Sequence, residues 1–405
     1  MEKKILNLIN GYEAEARKVR HYLHEYPEVS SQEVNTSKYL KEKAKQLGLE
    51  IESVPQEGTS AGHGFIATLD TGKPGKTVGL RTDIDALPVT ESLFNLMQPR
   101  KVISKNEGVM HACGHDGHMT ILLYTMKILS DLKNELTGKI IFIFEEGEEI
   151  SAGINEMVNL LKSKEIDVIY GNHLVSFLNT GQIALDPGPI MAAISRIDFK
   201  VIGRGGHGSR PDLSINPLYA GVDILNSISV AWNNQINVEK TVTLGLTEFH
   251  VGTAYNVFAD EARIGGSLRY FDEAEGQRAE KLFYKVAESV AEAHNCHIEI
   301  TDQAGQLSIP VVNDERLTYF ARKSVDELFP NARVEDINWY ASESFSRYGA
   351  VAPCVFAFVG TKNVALGSGA EHQNEFFDMD DDSLKYGIGA MVKFTIDFLL
   401  EDAID

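Results

Sequence analysis

The 405-residue sequence predicts an α/β protein, a mostly parallel-sheet domain into which a smaller α+β domain is inserted. Three observations lead there. The chain is too long for one ordinary hydrophobic core, so two domains are expected. Towards both ends, short apolar runs of strand length alternate with helical periodicity, the pattern of a parallel sheet with helices packed on it. The middle of the chain reads differently, as strands with one exposed face.

Taken in order, residues 12–48 carry helical periodicity, with Leu23, Tyr39, Leu40 and Leu47 set among polar neighbours. Strand-like apolar runs come next at 64–69, 77–80, 139–144, 167–170 and 353–359. Helical segments lie at 119–132, 153–162 and 383–400. In the middle, strands at 194–203, 241–252 and 261–271 and helices at 216–231 and 273–294 suggest a strand–helix–strand–strand–helix–strand unit. Segments of reactive character lie before and after it. The expected division is therefore residues 1–186 with 306–405 for the outer domain, and 187–305 for the insertion.

Hydrophobic residues make up 43% and charged residues 24%, as in ordinary globular proteins. The apolar runs are too short to span a bilayer, and Met1-Glu-Lys-Lys-Ile opens a charged amphipathic pattern rather than an export signal. The net charge, 38 − 58 = −20, speaks against nucleic acid or an anionic membrane as partner, since both reward clustered Lys and Arg. Cys113, Cys296 and Cys354 are too scattered for a disulfide framework, which fits a reducing cytoplasm.

Each strong strand of the outer domain runs into a polar cluster. Residues 77–80 lead to Arg81-Thr-Asp83-Ile-Asp85, and 139–144 to Glu145-Glu146-Gly147-Glu148-Glu149. Residues 167–170 lead to Gly171-Asn172-His173, and 353–359 lead through a glycine-rich loop to His372. Open parallel sheets place their ligand crevice at the carboxyl ends of the strands, so these clusters are expected to converge. Imidazole, carboxylate and one thiol together suit a divalent metal.

The densest segment is Met110-His111-Ala-Cys113-Gly114-His115-Asp-Gly-His118, just ahead of a helix. Cys113 and His115, two apart in extended chain, point the same way and can share a metal, with Gly114 letting the backbone curl. His111 and His118 flank this motif and stay open between ligand and structural roles. Adjacent Glu148 and Glu149 repel unless a cation is near, and a hydrolase needs one carboxylate as ligand and one free to move a proton. Glu145 and Glu146 read as a solvated acidic turn. In the inserted domain, His207 sits on a Gly-rich turn and is either a loop histidine or a substrate donor. Asn256 and Arg269 could hold a substrate carboxylate, with salt bridging the competing role for Arg269.

Almost end to end, the chain resembles the metal-dependent aminoacylase and carboxypeptidase family. Within it, the likeness is to the branch of hippurate hydrolases, auxin-conjugate hydrolases and bacterial N-acyl-amino-acid amidohydrolases. The resemblance is carried by Arg20-His-Tyr-Leu-His-Glu-Tyr-Pro-Glu28, Leu80-Arg-Thr-Asp-Ile-Asp-Ala-Leu-Pro88 and Met110–His118, then Glu148-Glu149, Gly205-Gly-His207, Asn256, Ser342-Glu-Ser-Phe-Ser346 and His372. It implies a catalytic outer domain, an inserted lid that commonly mediates a homodimer or higher homo-oligomer, and two divalent ions per subunit; thiolate with imidazole tolerates zinc, and carboxylate with imidazole also manganese, cobalt or nickel. By motif, Cys113, His115, Glu149, His173 and His372 would be metal ligands and Glu148 the general base. His207 would steady the tetrahedral intermediate, often from the partner subunit, and Asp83 would orient the ligands from behind. The implied substrate is an N-acyl amino acid or short peptide; a dipeptidase or carboxypeptidase is the nearest rival, and a noncatalytic binding member of the fold a further one.

Three departures stand out. The usual Pro-Ala before the paired glutamates is Glu146-Gly147, which leaves two pairs to choose from; the later pair is preferred because the small-residue turn Ile150-Ser-Ala-Gly153 comes after it. Ser344 stands where the family usually has Asp. Glu371-His-Gln-Asn-Glu-Phe-Phe-Asp378 lacks the frequent proline.

Overall fold

The computed structural model describes residues 1–401; residues 402–405, the end of the outer domain's expected range, lie outside the described residues. The chain divides into two compact units: Met1–Gly188 with Val312–Ile337 and Arg347–Asp405, and Pro189–Val311 with Asn338–Ser346.

The chain begins with α1 (Glu2–Glu25), α2 (Val34–Gln46), β1 (Glu50–Ser53), β2 (Phe65–Asp70), β3 (Thr77–Asp83) and α3 (His115–Asp131). It continues with β4 (Lys139–Glu145), α4 (Ile154–Leu161), β5 (Val168–Asn179), β6 (Ile183–Ala184) and β7 (Gly188–Met191). Then come β8 (Ala193–Ile202), β9 (Gly206–His207), α5 (Pro217–Gln235), β10 (Val242–Val251), β11 (Val257–Phe258) and β12 (Glu261–Tyr270). The last stretch holds α6 (Glu273–Ala293), β13 (His297–Ile300), β14 (Gly305–Gln306), β15 (Val311–Asn313), α7 (Glu315–Leu328), β16 (Arg333–Val334), β17 (Cys354–Lys362) and α8 (Ser383–Leu400).

In the first unit an eight-stranded sheet runs β1-β2-β4-β3-β5-β17-β6-β16. Its centre, β4 through β17, is parallel, while β1, β2 and β6 join antiparallel. The fold class is the expected one, with a mixed rather than uniform sheet. β3 and β4 are buried almost throughout, as strands covered on both faces must be. Leu80, Phe142, Phe144 and Tyr170 pack with Met119 and Leu122 of α3 and Met391 and Phe394 of α8 in one core.

Two local departures have plain causes. The helical periodicity of residues 12–48 is divided between two helices, because Pro27 disfavours helical backbone at the residue before it, and Tyr26 sits at φ −128°, ψ 56°. α7 lies outside the expected helices, although it carries both marks of one. The Asp314 side chain accepts the Leu317 N–H at 2.9 Å, and Leu317, Ala321, Val325 and Leu328 are buried at helical spacing.

The second unit is an antiparallel sheet, β10-β12-β8-β13, with β14 also on β8. α5 and α6 bury Ile224 and Phe283 with Ile197, Phe199 and Ile264. Residues 338–346 belong with this unit: the N–H of Ala192 lies 3.2 Å from the Trp339 carbonyl and 3.1 Å from that of Ala341.

Candidate metal centre

The thiol, imidazole and carboxylate candidates all lie in the first unit. Cys113 sits on the turn into α3, where Gly114 takes φ +83°, a left-handed conformation that favours glycine, and His115 starts the helix. Glu148 and Glu149 come after β4 on a single 3-10 turn entered through Gly147 at φ +63°. A Cβ on Gly147 would come within 2.8 Å of the Ala152 side chain, so the family's usual alanine does not fit this turn as built. His173 is not at a strand end as expected. It lies inside β5, which continues along β17 to Asn179 because Leu174 and Val175 prolong the apolar run; it is, however, past Gly171, the last residue paired with β3.

These residues come together as two overlapping groups. Ligand atoms of Cys113, His115 and His173 all lie within 4.8 Å of one another, as do those of His115, Glu148 and Glu149. Cys113 Sγ is 3.7 Å from His173 Nε2, and His115 Nε2 is 3.7 Å from Glu149 Oε1. The His372 ring stands 5.4 Å from that of His173, centroid to centroid. Two of the rings are turned the same way. His115 Nδ1 donates to the Asp85 carbonyl at 3.0 Å, and His173 Nδ1 donates to the Leu174 carbonyl at 2.8 Å, leaving each Nε2 facing the cluster. His372 Nε2 accepts the Ser176 N–H at 3.2 Å.

Burial and charge act strongly on the groups in this cluster. Burial, then the Glu149 and Glu148 carboxylates, hold the Cys113 thiol well above its usual range. Burial opposes the charge on His115, yet Asp83 and Asp85 carry its pKa up to about 10. Burial, helped by His118 and neighbouring imidazoles, keeps His173 low and brings His372 down to about 3. Glu149 rises to about 7 through burial and Asp85.

Behind the cluster lies a buried chain of charges. Asp83 accepts from His118 Nδ1 at 2.8 Å and from Arg81 at 2.9 Å; its carboxylate is 3.7 Å from His115 Nδ1. Arg81 Nε donates to Glu145 at 2.7 Å, and Glu145 also accepts the Tyr348 hydroxyl at 2.7 Å. Glu146 accepts from the Ser60 hydroxyl and from the His63 N–H. The expectation of a solvated acidic turn at Glu145 and Glu146 is therefore wrong: both are buried, each engaged by neighbours its sequence position did not reveal. The later glutamate pair is the one beside His115.

Three further residues escaped the sequence reading. Asp85 takes His115 Nδ1 at 3.2 Å, the Glu149 N–H at 3.1 Å and the Ser30 hydroxyl at 2.7 Å, so one carboxylate ties two candidate ligands together. Gln373 donates to Glu149 Oε2 at 3.0 Å. Glu33 accepts the Gly147 N–H at 2.8 Å behind the glutamate turn. Only the alternation Asp83-Ile-Asp85, which puts both carboxylates on one side of the chain, hinted at the first. His118 has both nitrogens engaged, because Nδ1 bonds Asp83 and Nε2 accepts the Leu174 N–H at 2.8 Å, although its ligand atoms also lie within 4.8 Å of those of Asp83 and His115. His111 is buried, and burial lowers its pKa to about 4.

In the second unit, β9 pairs with β11, which sets His207 opposite Val257 and next to Asn256: the Gly208 N–H donates to the Asn256 carbonyl at 2.8 Å. Both side chains belong to exposed residues, and His207 Nδ1 is 2.8 Å from the Ser209 hydroxyl. Arg269 lies on β12 and donates to the Tyr340 carbonyl at 2.8 Å.

A second buried network braces the start of α3. His24 bonds Asp116 and Glu91, each at 2.8 Å, with Arg20 and Arg100 as the cations beside those carboxylates. Burial opposes protonation of His24, but the two carboxylates and their hydrogen bonds raise its pKa to about 9. A group raised in the folded state adds stability that is complete below its unfolded pKa, near ~6.5, and is lost as pH climbs through the folded value. The stability gap between wild type and His24→Gln, measured by urea denaturation, should therefore be widest near pH 6 and shrink by pH 10; a gap independent of pH contradicts this.

The model of Peptidase family M20/M25/M40 matches residues 79–397. The chain is 31% identical over 400 residues to thermostable carboxypeptidase 1 of Saccharolobus solfataricus, covering 98% of each. It is 34% identical over 313 residues to an N-acyl-L-amino acid amidohydrolase of Geobacillus stearothermophilus, covering 77% of this chain and 81% of that one. Its structure is similar to that of a dinuclear metal-binding M20-family peptidase of Bacillus subtilis, with a TM-score of 0.82, 27% identity and coverage of 96% and 99%. With a thiol–imidazole–carboxylate cluster at the strand ends of such a fold, the chain belongs to the M20/M25/M40 peptidase family.

Proposed function

We propose that the protein is a dinuclear metal-dependent amidohydrolase that cleaves the amide bond of an N-acyl amino acid or a related conjugate. One observation carries this reading. His115 Nε2 and Glu149 Oε1 are buried, 3.7 Å apart, and without a hydrogen-bond partner among the described residues. Buried polar atoms are rarely left so, and an imidazole nitrogen facing a carboxylate oxygen suits a cation that displaces the ring's proton. Cys113, His115, Glu149, His173 and His372 would hold the two ions, a donor set that fits zinc or manganese and tolerates cobalt or nickel. When bound, the ions polarise the scissile carbonyl and make water acidic enough to ionise near neutral pH.

The chain's own groups do the rest. Glu148 takes a proton from the attacking water and returns it to the departing amine, a role open to it because it adjoins His115 and Glu149. Asp85 holds His115 and the backbone of Glu149 in register, and Asp83 orients the rings from behind. His207 steadies the developing oxyanion, and Asn256 with Arg269 grips the substrate carboxylate. Replacing His207 by Ala should lower kcat with metal content unchanged; normal turnover would remove His207 from the mechanism. A homodimer formed through the second unit is supported by edge strand β10 and by exposed Tyr219, Val222 and Val230 on α5. Among the described residues no helix is long and apolar enough to cross a membrane, and the three cysteines are unpaired, which supports a reducing cytoplasm.

The test is a hydrolysis screen of N-acetyl and N-benzoyl amino acids and dipeptides with the chelated protein, with and without added zinc or manganese. Activity should vanish on chelation and return with metal, N-acyl amino acids being cleaved faster than dipeptides. Full activity in protein shown by elemental analysis to be metal-free would sink the reading. Faster cleavage of dipeptides would move it towards the carboxypeptidases, a name borne by the Saccharolobus relative.

A further inference from the structure

We propose that His118 is a positioning residue for the metal centre, one that holds the open edge of β5 and thereby fixes the carbonyl that aims the His173 ring. The inference rests on the amidohydrolase reading and deepens it.

The sheet is open at one place beside the cluster. β5 is paired with β3 only as far as Gly171, whereas along β17 it runs on to Asn179. Past Gly171 the strand has lost one neighbour, and a buried peptide N–H there needs another acceptor. For Leu174 that acceptor is His118 Nε2, at 2.8 Å. An imidazole nitrogen that accepts from a peptide must be unprotonated, so in the neutral ring the proton lies on Nδ1. There it is donated to Asp83 Oδ1 at 2.8 Å. Asp83 is in turn held by Arg81, Arg81 holds Glu145, and Glu145 accepts from Tyr348, all of them buried. The ring is thus braced from behind and applied in front to a single peptide group.

That residue, Leu174, is the one whose carbonyl takes the His173 Nδ1 proton at 2.8 Å. The bond leaves His173 Nε2 towards Cys113 Sγ, 3.7 Å away. His118 also stands three residues after His115 on α3, on the same helix face, so one helix supplies a ligand and the clamp on the strand bearing another. With both nitrogens engaged, His118 acts on the ion through its partners, by way of Leu174 on His173 and by way of Asp83 beside His115.

Two conservative replacements separate its two bonds. An Asn amide reaches as far from Cβ as Nδ1 does and can still donate to Asp83, but it falls short of Leu174. A Gln amide reaches as far as Nε2 and can accept from Leu174. Three readouts apply to wild type, His118→Asn and His118→Gln: hydrogen exchange of the Leu174 amide in metal-free protein, zinc affinity by competition with a chelating dye, and the absorption spectrum of cobalt-loaded protein. His118→Asn should expose the Leu174 amide to exchange, shift the cobalt spectrum and weaken zinc binding by about 10- to 100-fold, the usual cost of losing a partner behind a ligand. Its kcat should fall with KM little changed. His118→Gln should keep Leu174 protected and zinc affinity close to wild type.

Wild-type zinc affinity and an unchanged cobalt spectrum in His118→Asn would overturn the proposal. So would equal losses in both variants, or failure of both to fold, since either would make His118 a residue of the core alone. Wild-type protein that binds no zinc would instead overturn the amidohydrolase reading, and this inference with it.

Discussion

Glu148→Gln is expected to keep both metals and lose turnover by at least about 10²-fold, because an amide cannot accept the proton that the carboxylate takes from water. Glu149→Gln is expected to fail earlier, with less metal bound per subunit. The two glutamates are neighbours on one short turn, yet their surroundings differ. Glu149 is tied by its backbone to Asp85 and by Oε2 to Gln373, with Oε1 turned to His115, whereas Glu148 is set beside the same histidine without being the residue those ties address. Bound metal by elemental analysis and kcat on one N-acyl substrate, for both variants under identical conditions, decide the matter. Near-normal turnover in Glu148→Gln would place the base elsewhere. Glu145 and Glu146 are poor successors, since Arg81 and Tyr348 take one and the 60–63 loop takes the other.

The largest loss of stability should come from Arg81. Its guanidinium lies between Asp83 and Glu145, and all three are essentially inaccessible to water. Arg81→Leu leaves two buried carboxylates without this cation, and breaking such a pair costs roughly 3–5 kcal/mol. The exposed pair of Lys4 and Glu135 is the control: Lys4→Ala should cost no more than ~1 kcal/mol. Urea denaturation of the metal-free proteins reads both. A loss in Arg81→Leu as small as that in Lys4→Ala would mean that the carboxylates take up protons or solvent instead of remaining charged.

Much of the fold and half of the site were legible through periodicity and one topological rule. Runs such as Lys139–Glu145 announce buried strands, and a parallel sheet gathers the residues beyond its strand ends into one crevice. That rule gathered the clusters at Asp83, Glu145–Glu149, His173 and His372 without any geometry, while Cys113 and His115 were read from their own dense motif and the later glutamate pair was chosen from the family resemblance. It failed locally at His173, because a strand's end is set by where its neighbours stop pairing, and nothing in 168–179 records that pairing with β3 stops at Gly171 while pairing with β17 goes on. It failed also at Glu145 and Glu146, which look like surface charge until Arg81, Tyr348, Ser60 and His63 are brought to them from distant positions. The ties of Asp85, Gln373 and Glu33 were illegible for the same reason, and the role of His118 stayed open: each acts through a partner that only the fold supplies. The antiparallel flanks β1 and β2 carry no mark of direction in their residues.

The place of His372 bears on when the centre can exist during synthesis. Its loop is brought home by β17, which lies directly beside β5, and the bond from Ser176 to His372 joins residues 196 positions apart. Between those two strands the ribosome must deliver the whole second unit. Cys113, His115, Glu149 and His173 are therefore made long before the last candidate ligand emerges, and contacts of such span form slowly because chain entropy is lost before they repay it. Metal capture that needs every ligand is in consequence a late event, one that reports completion of the central sheet. A nascent or nicked chain lacking β17 would carry a thiol and histidines with no finished site, open to the wrong cation.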